Sequence, residues 1–175
     1  MKSYKNALKL TLCAMLSGLS FVSLYLGTLT GVFDLCAVVI GALCTVFAVI
    51  EFGGAWPWLV TAVTTVLSFV LLPDKMVAFE YLFLGGAYPI LKSLFERRKK
   101  LLSYLFKLVY FNAALTVTLL TAKLLFPGDE AWQIFGPLAY LVGNGFFLFY
   151  DYALTTLISA YLFKFRKKLK IKDMR

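Results

Sequence analysis

The chain has no histidine and only nine acidic residues, so any chemistry must come from a few polar groups set in apolar stretches. Asp151 is the sharpest of these. Asn144 lies seven residues before it, Tyr140 four before that and Thr155 four after, a spacing that puts all four on one helical stripe. In the preceding apolar stretch Asn112, Thr116 and Lys123 also share a face, and Lys107 is placed to reach toward Asp151. Ionisable groups inside a membrane are costly, so each needs a structural partner or a functional explanation. For Lys107 and Asp151 two readings stand: a buried ion pair that binds nothing, or the floor of a ligand site. Lys123 either snorkels to the outer surface or turns inward above the Asn112 and Asn144 amides. Glu80 is either a carboxylate facing an outward cavity or an interfacial acid near Lys75. Tyr81 and Tyr88 flank Gly85 on one face, a pattern expected of packing.

The missing histidine removes the commonest general base and transition-metal ligand. H-E-x-x-H and G-x-S-x-G motifs are absent, as are a Walker A run and clustered acids for metal-assisted phosphoryl transfer. The expectation is a protein that is not an enzyme and carries no cofactor or metal. Cys13, Cys36 and Cys44 lie in apolar runs without a CxxC pair and read as small hydrophobes.

The elements that position these groups follow from hydropathy. Hydrophobic residues make up 61% of the chain, mean hydropathy is +0.83 and only 15% of residues are charged, too few to clothe a soluble globule. Breakers and charges mark six spans, near residues 7–27, 32–50, 55–72, 76–91, 101–126 and 132–163, with a basic tail over 164–175. In the last span Gly136-Pro137 offers a helix start, leaving Trp132 to Phe135 along the outer interface. Of the 18 Lys and Arg residues, all but Lys75 and Lys123 fall in the first nine residues, between Lys92 and Lys107, or from Lys164 onward. Flanking cations are retained on the cytoplasmic side. The predicted fold class is therefore all-α: a polytopic integral membrane protein, one domain over 1–175, a compact bundle of six transmembrane helices with N- and C-termini cytoplasmic. The basic N-terminus resembles a signal peptide but lacks an A-x-A-like cleavage site and reads as a retained span. The connection from Glu51 to Gly54 should be cytoplasmic yet carries no cation, so a partly crossing hairpin is the alternative there. The formal charge of +9 points to anionic lipids rather than nucleic acid, because the cations flank spans instead of lining a groove. The expected location is the cell membrane, multi-pass, in a bacterium.

In its length, six spans, internal termini and basic lead into a first span rich in small residues, the chain resembles the S components of energy-coupling factor (ECF) transporters. The segment Ala14-Met15-Leu16-Ser17-Gly18 offers Ala14 and Gly18 at the spacing with which that family contacts its membrane coupling subunit. The resemblance implies partnership with that coupling subunit and two cytoplasmic ATPases, which would supply the missing nucleotide motif. It also implies capture of a small-molecule ligand, a vitamin or similar micronutrient, from outside. The family's outward site, carried over by helix order, falls on Thr28, Thr30, Asp34, Glu80, Thr116, Tyr140 and Asn144, with Asn112 and Asp151 as its floor. The competing reading is a non-transporting membrane scaffold resembling small polytopic proteins of the bacterial cell-shape or sporulation machinery, in which Asp151 and Lys107 are structural.

Overall fold

In the computed structural model the described residues, 2–31, 33–97, 99–125 and 131–165, form helices and short turns, with no strand among them. The order is α1 (Lys2–Thr30), α2 (Asp34–Glu51), α3 (Trp56–Leu71), α4 (Lys75–Glu80), a π-helical segment (Tyr81–Ala87), α5 (Tyr88–Phe95), α6 (Lys100–Leu125), α7 (Ala131–Ala160) and a second π-helical segment (Tyr161–Phe165). The stretches Asn6–Thr30, Asp34–Glu51, Lys100–Leu124 and Leu138–Phe163 are long and apolar enough to cross a membrane, whereas the apolar helix Trp56–Leu71 is shorter. The chain divides between Arg98 and Lys99 into two compact units.

In the first unit α1 packs on α2 and α3, and the π segment packs on the same two helices. Two apolar cores hold it: Leu24, Val38, Leu72, Val77 and Tyr81 toward one end, Cys13, Ala48, Phe52 and Val60 toward the other. Several hydroxyls accompany the apolar residues, those of α1 bonding to backbone carbonyls. Ser17 donates to the Cys13 and Val60 carbonyls at 2.9 and 3.4 Å, Ser20 to Gly41 at 3.2 Å, and Thr64 to Ser17 at 3.4 Å. These are bonds between helices as much as within them, so they fix which faces meet.

Turn chemistry sets the helix ends. The Phe52 and Gly53 amides both donate to the Ala48 carbonyl at 3.1 Å, and Gly53 and Gly54 have φ of 62° and 60°. Two successive left-handed residues reverse the chain into α3, where Pro57 occupies the first turn. Asp74 caps α4 by accepting from the Met76 amide at 2.8 Å.

The π segment contains Gly85 and Gly86 and ends two residues before Pro89. Proline lacks an N–H and crowds the carbonyl four residues back, so the preceding turn widens, and the Tyr88 amide donates to Phe83, five residues away. The glycines then serve packing: a Cβ on Gly85 would lie 2.6 Å from the Tyr81 ring, and one on Gly86 would overlap the Thr61 side chain. Tyr81 and Tyr88 are both fully buried, as packing residues should be.

The observed helices track the sequence-derived spans, with informative shifts. Helix continues to Phe95, so Lys92, expected in a charged connection, is helical and 1% exposed. In the second unit α7 starts at Ala131 and runs through Gly136-Pro137, where a helix start was expected. The side chains of Trp132 to Phe135 and the tail from Arg166 onward lie outside the described residues.

Gly86→Ala should destabilise the protein by about 1–3 kcal/mol in a detergent-micelle unfolding assay, through overpacking against Thr61. Adding Thr61→Ala should recover part of the loss. A neutral Gly86→Ala would mean that the π segment does not pack this tightly.

Candidate functional site

The predicted site residues fall into two groups, one in each unit. In the second unit α6 and α7 pack along a seam with paired polar levels. Lys107 Nζ lies 3.1 and 3.0 Å from the two Asp151 carboxylate oxygens, and the residues are 5% and 6% exposed. The next level is apolar, with Phe111 stacked on Phe147 at a centroid distance of 4.4 Å. Asn112 and Asn144 then exchange amide bonds at 3.0 and 3.1 Å, and each donates its other N–H to a carbonyl of its own helix, Leu108 and Tyr140, at 2.8 and 2.7 Å. Above them Thr116 donates to the Asn112 carbonyl at 2.7 Å, so its one hydrogen is committed. The 2.7 Å contact between the Thr116 and Tyr140 hydroxyls must therefore have the Tyr140 phenol as donor.

In this seam Lys107 and Asp151 pair. The seam also shows the stripe of Tyr140, Asn144 and Asp151 facing α6, as the spacing predicts. Thr155 lies one turn further on and donates to the Asp151 carbonyl at 2.8 Å. Both amides use every N–H within the helix pair, so neither has a donor left for a ligand. Lys123 is exposed. The arrangement locks two helices in register, which is what buried polar pairs do between apolar helices.

The first unit sorts its charges by end. Asp34 opens α2, Asp74 caps α4 and Glu80 ends it. These carboxylates are near enough for Asp34 and Asp74 to act electrostatically on Glu80. Asp34 Oδ1 and Glu80 Oε2 are buried without a hydrogen-bond partner, and Lys75 directs its ammonium to the Leu72 carbonyl at 2.6 Å. Close to this end, Thr28 and Thr30 donate to the Leu24 and Gly27 carbonyls at 2.8 and 2.6 Å, so their free capacity is as acceptors. A largely apolar cavity of about 480 Å³ lies between α1 and α2, with Gly27, Thr30 and Phe33 in its wall. An acceptor-rich end with unsatisfied carboxylate oxygens is suited to a cation or an amine.

The opposite end is basic. Lys9 sits 6.0 Å from the Trp56 ring centroid, Lys92 is 3.1 Å from Glu96, and Arg97 lines a cavity with the Gly53-Gly54 turn. The connection from Glu51 to Gly54 is thus at the cationic end, with its cations contributed by other segments. Glu51, expected in that loop, is the last residue of α2 and fully buried.

Sequence reasoning missed Glu51 and Lys92 as buried charges, and it missed a stripe on α3. Thr61, Thr65 and Ser68 face the interior, 2%, 8% and 0% exposed, and their hydroxyls have no hydrogen-bond partner. Their spacing of four and three residues was a readable signal. Ala14 and Gly18, the expected partner contacts, are exposed on α1 beside Met15 and Leu19, and a Cβ on Gly18 would meet nothing within 4 Å. No group of histidine, cysteine or acidic residues among those described could hold a metal. No family profile, curated protein or solved structure matches this chain.

Lys107→Met leaves the Asp151 carboxylate buried without its cation and should cost about 3–5 kcal/mol in micelle unfolding, whereas Lys107→Met with Asp151→Leu should recover most of that loss. Equal destabilisation by the single and double variants would contradict the pairing. Asn112→Ala strands the Asn144 amide and should cost about 1–3 kcal/mol by the same measurement.

Proposed function

We propose that this protein is a six-span membrane subunit, with both ends cytoplasmic, that captures a small amine-bearing or cationic nutrient at the acidic end of its first unit. The observation that carries this is the pair of buried, unpartnered carboxylate oxygens on Asp34 and Glu80. Carboxylates that repel one another and keep buried oxygens without partners are stabilised by a bound positive charge. The charge sorting of the unit supports an outward position for that end, since the cationic end belongs in the cytoplasm.

On this reading the ligand contacts are Asp34 and Glu80, with Thr28 and Thr30 as nearby acceptors. Asn112, Thr116, Tyr140, Asn144 and Asp151 hold α6 to α7 and do not contact the ligand. The resemblance to ECF S components is consistent with such a capture subunit. In that arrangement the chain binds but does not catalyse, and a membrane coupling subunit with two ATPases drives release, meeting α1 along Ala14 and Gly18.

The scaffold reading has one specific observation in its favour: the α6–α7 polar groups satisfy one another completely, as in a structural element.

Native mass spectrometry of gently solubilised protein separates the two. Capture predicts a co-purifying small molecule that is lost on Glu80→Gln or Asp34→Asn and retained on Asn144→Ala. Absence of any small-molecule adduct, with recovery of wall-synthesis or division proteins instead, would favour the scaffold.

A further inference from the structure

The basic end of the first unit contains a second cavity of about 480 Å³, formed where the α2–α3 turn meets α5. Its lining is divided. Arg97 and Ser93 supply polarity, while Trp58, Ile90 and Leu94 supply an apolar wall. Trp58 and Leu94 are 45% and 48% exposed, so that wall is open to the surroundings of the helices. The Gly53-Gly54 turn completes the rim, and a Cβ on Gly54 would meet nothing within 4 Å, which leaves the backbone approachable.

The cations at this end differ in how they are matched. Lys92 is buried and 3.1 Å from Glu96. Arg97 is exposed, and no salt bridge involves it among the described residues. A guanidinium beside an apolar wall, at the end of apolar helices, offers two chemistries at once: a planar donor for a phosphate and a surface for hydrocarbon. A soluble anion would use only the first. An anionic phospholipid uses both, and a tryptophan at the same level is the residue type that sits at a headgroup boundary.

We propose that this cavity binds an anionic phospholipid, the phosphate on Arg97 and the first part of the acyl chains against Trp58 and Leu94. The site is independent of the nutrient-capture reading, since it lies at the other end of the unit and uses none of the same residues. A resident anionic lipid would neutralise Arg97 and fill the gap between the α2–α3 turn and α5, tying those segments to one leaflet.

The test uses the full chain in micelles, with phosphatidylglycerol or phosphatidylcholine added and bound lipid counted by native mass spectrometry. Phosphatidylglycerol should be retained in preference to phosphatidylcholine, and Arg97→Gln should lower its retention about fivefold while Lys123→Gln leaves it unchanged. Ser93→Leu, which fills the cavity without altering charge, should lower retention as well. Unchanged phosphatidylglycerol retention in both Arg97→Gln and Ser93→Leu would overturn the proposal, as would equal retention of the two lipids. Displacement of the lipid by millimolar glycerol phosphate would show the site to be one for soluble phosphate, and would likewise overturn it.

Discussion

In hydrocarbon a polar group has no water to fall back on, so every buried donor and acceptor must find its partner inside the protein. That constraint organises this chain. It explains why Lys107 meets both oxygens of Asp151 and why Asn112 and Asn144 use each amide hydrogen within the helix pair. Leu141, Phe149, Tyr152 and Leu120 on these helices stay largely exposed, which is tolerable only where lipid or another apolar surface covers them. With apolar groups outward and polar pairs inward, polarity rather than hydrophobicity specifies the register.

The same rule gives the exceptions their meaning. Hydroxyls on α1 are absorbed by carbonyls, yet Asp34, Glu80 and the α3 stripe of Thr61, Thr65 and Ser68 keep buried oxygens without partners. A lone hydroxyl is a modest cost, whereas an unpartnered carboxylate oxygen is a larger one. In the proposed capture, a cationic group would supply what the protein leaves out. The polar groups of the second unit are matched to one another across α6 and α7.

Much of the fold could be read from the sequence because its signals are strong: long apolar runs, punctuation by glycine and proline, and cations confined to the flanks. The stripe of Tyr140, Asn144 and Asp151 was legible for the same reason, since few polar residues compete for attention in an apolar helix. What failed was the reading of charges near helix ends. Glu51 and Lys92 look like boundary residues because charge normally stops a span, but α2 runs to Glu51, α5 runs past Lys92, and both side chains are buried. The α3 hydroxyls were passed over because Thr and Ser are common in apolar helices and their period becomes visible only beside a neighbour. The cationic character of the α2–α3 turn was hidden because its cations come from α1 and the turn after α5, distant in sequence.

The central claim is that the acidic and basic ends of the first unit face opposite compartments, with the basic end inside. Thr30 and Ala55 are exposed residues near the acidic and basic ends respectively, so a cysteine at either, in a background lacking the native ones, is open to a label. Labelling Thr30→Cys and Ala55→Cys in intact cells with a membrane-impermeant maleimide measures the claim directly. The account predicts modification at position 30 in intact cells and at position 55 only after permeabilisation; labelling of position 55 from outside would contradict it.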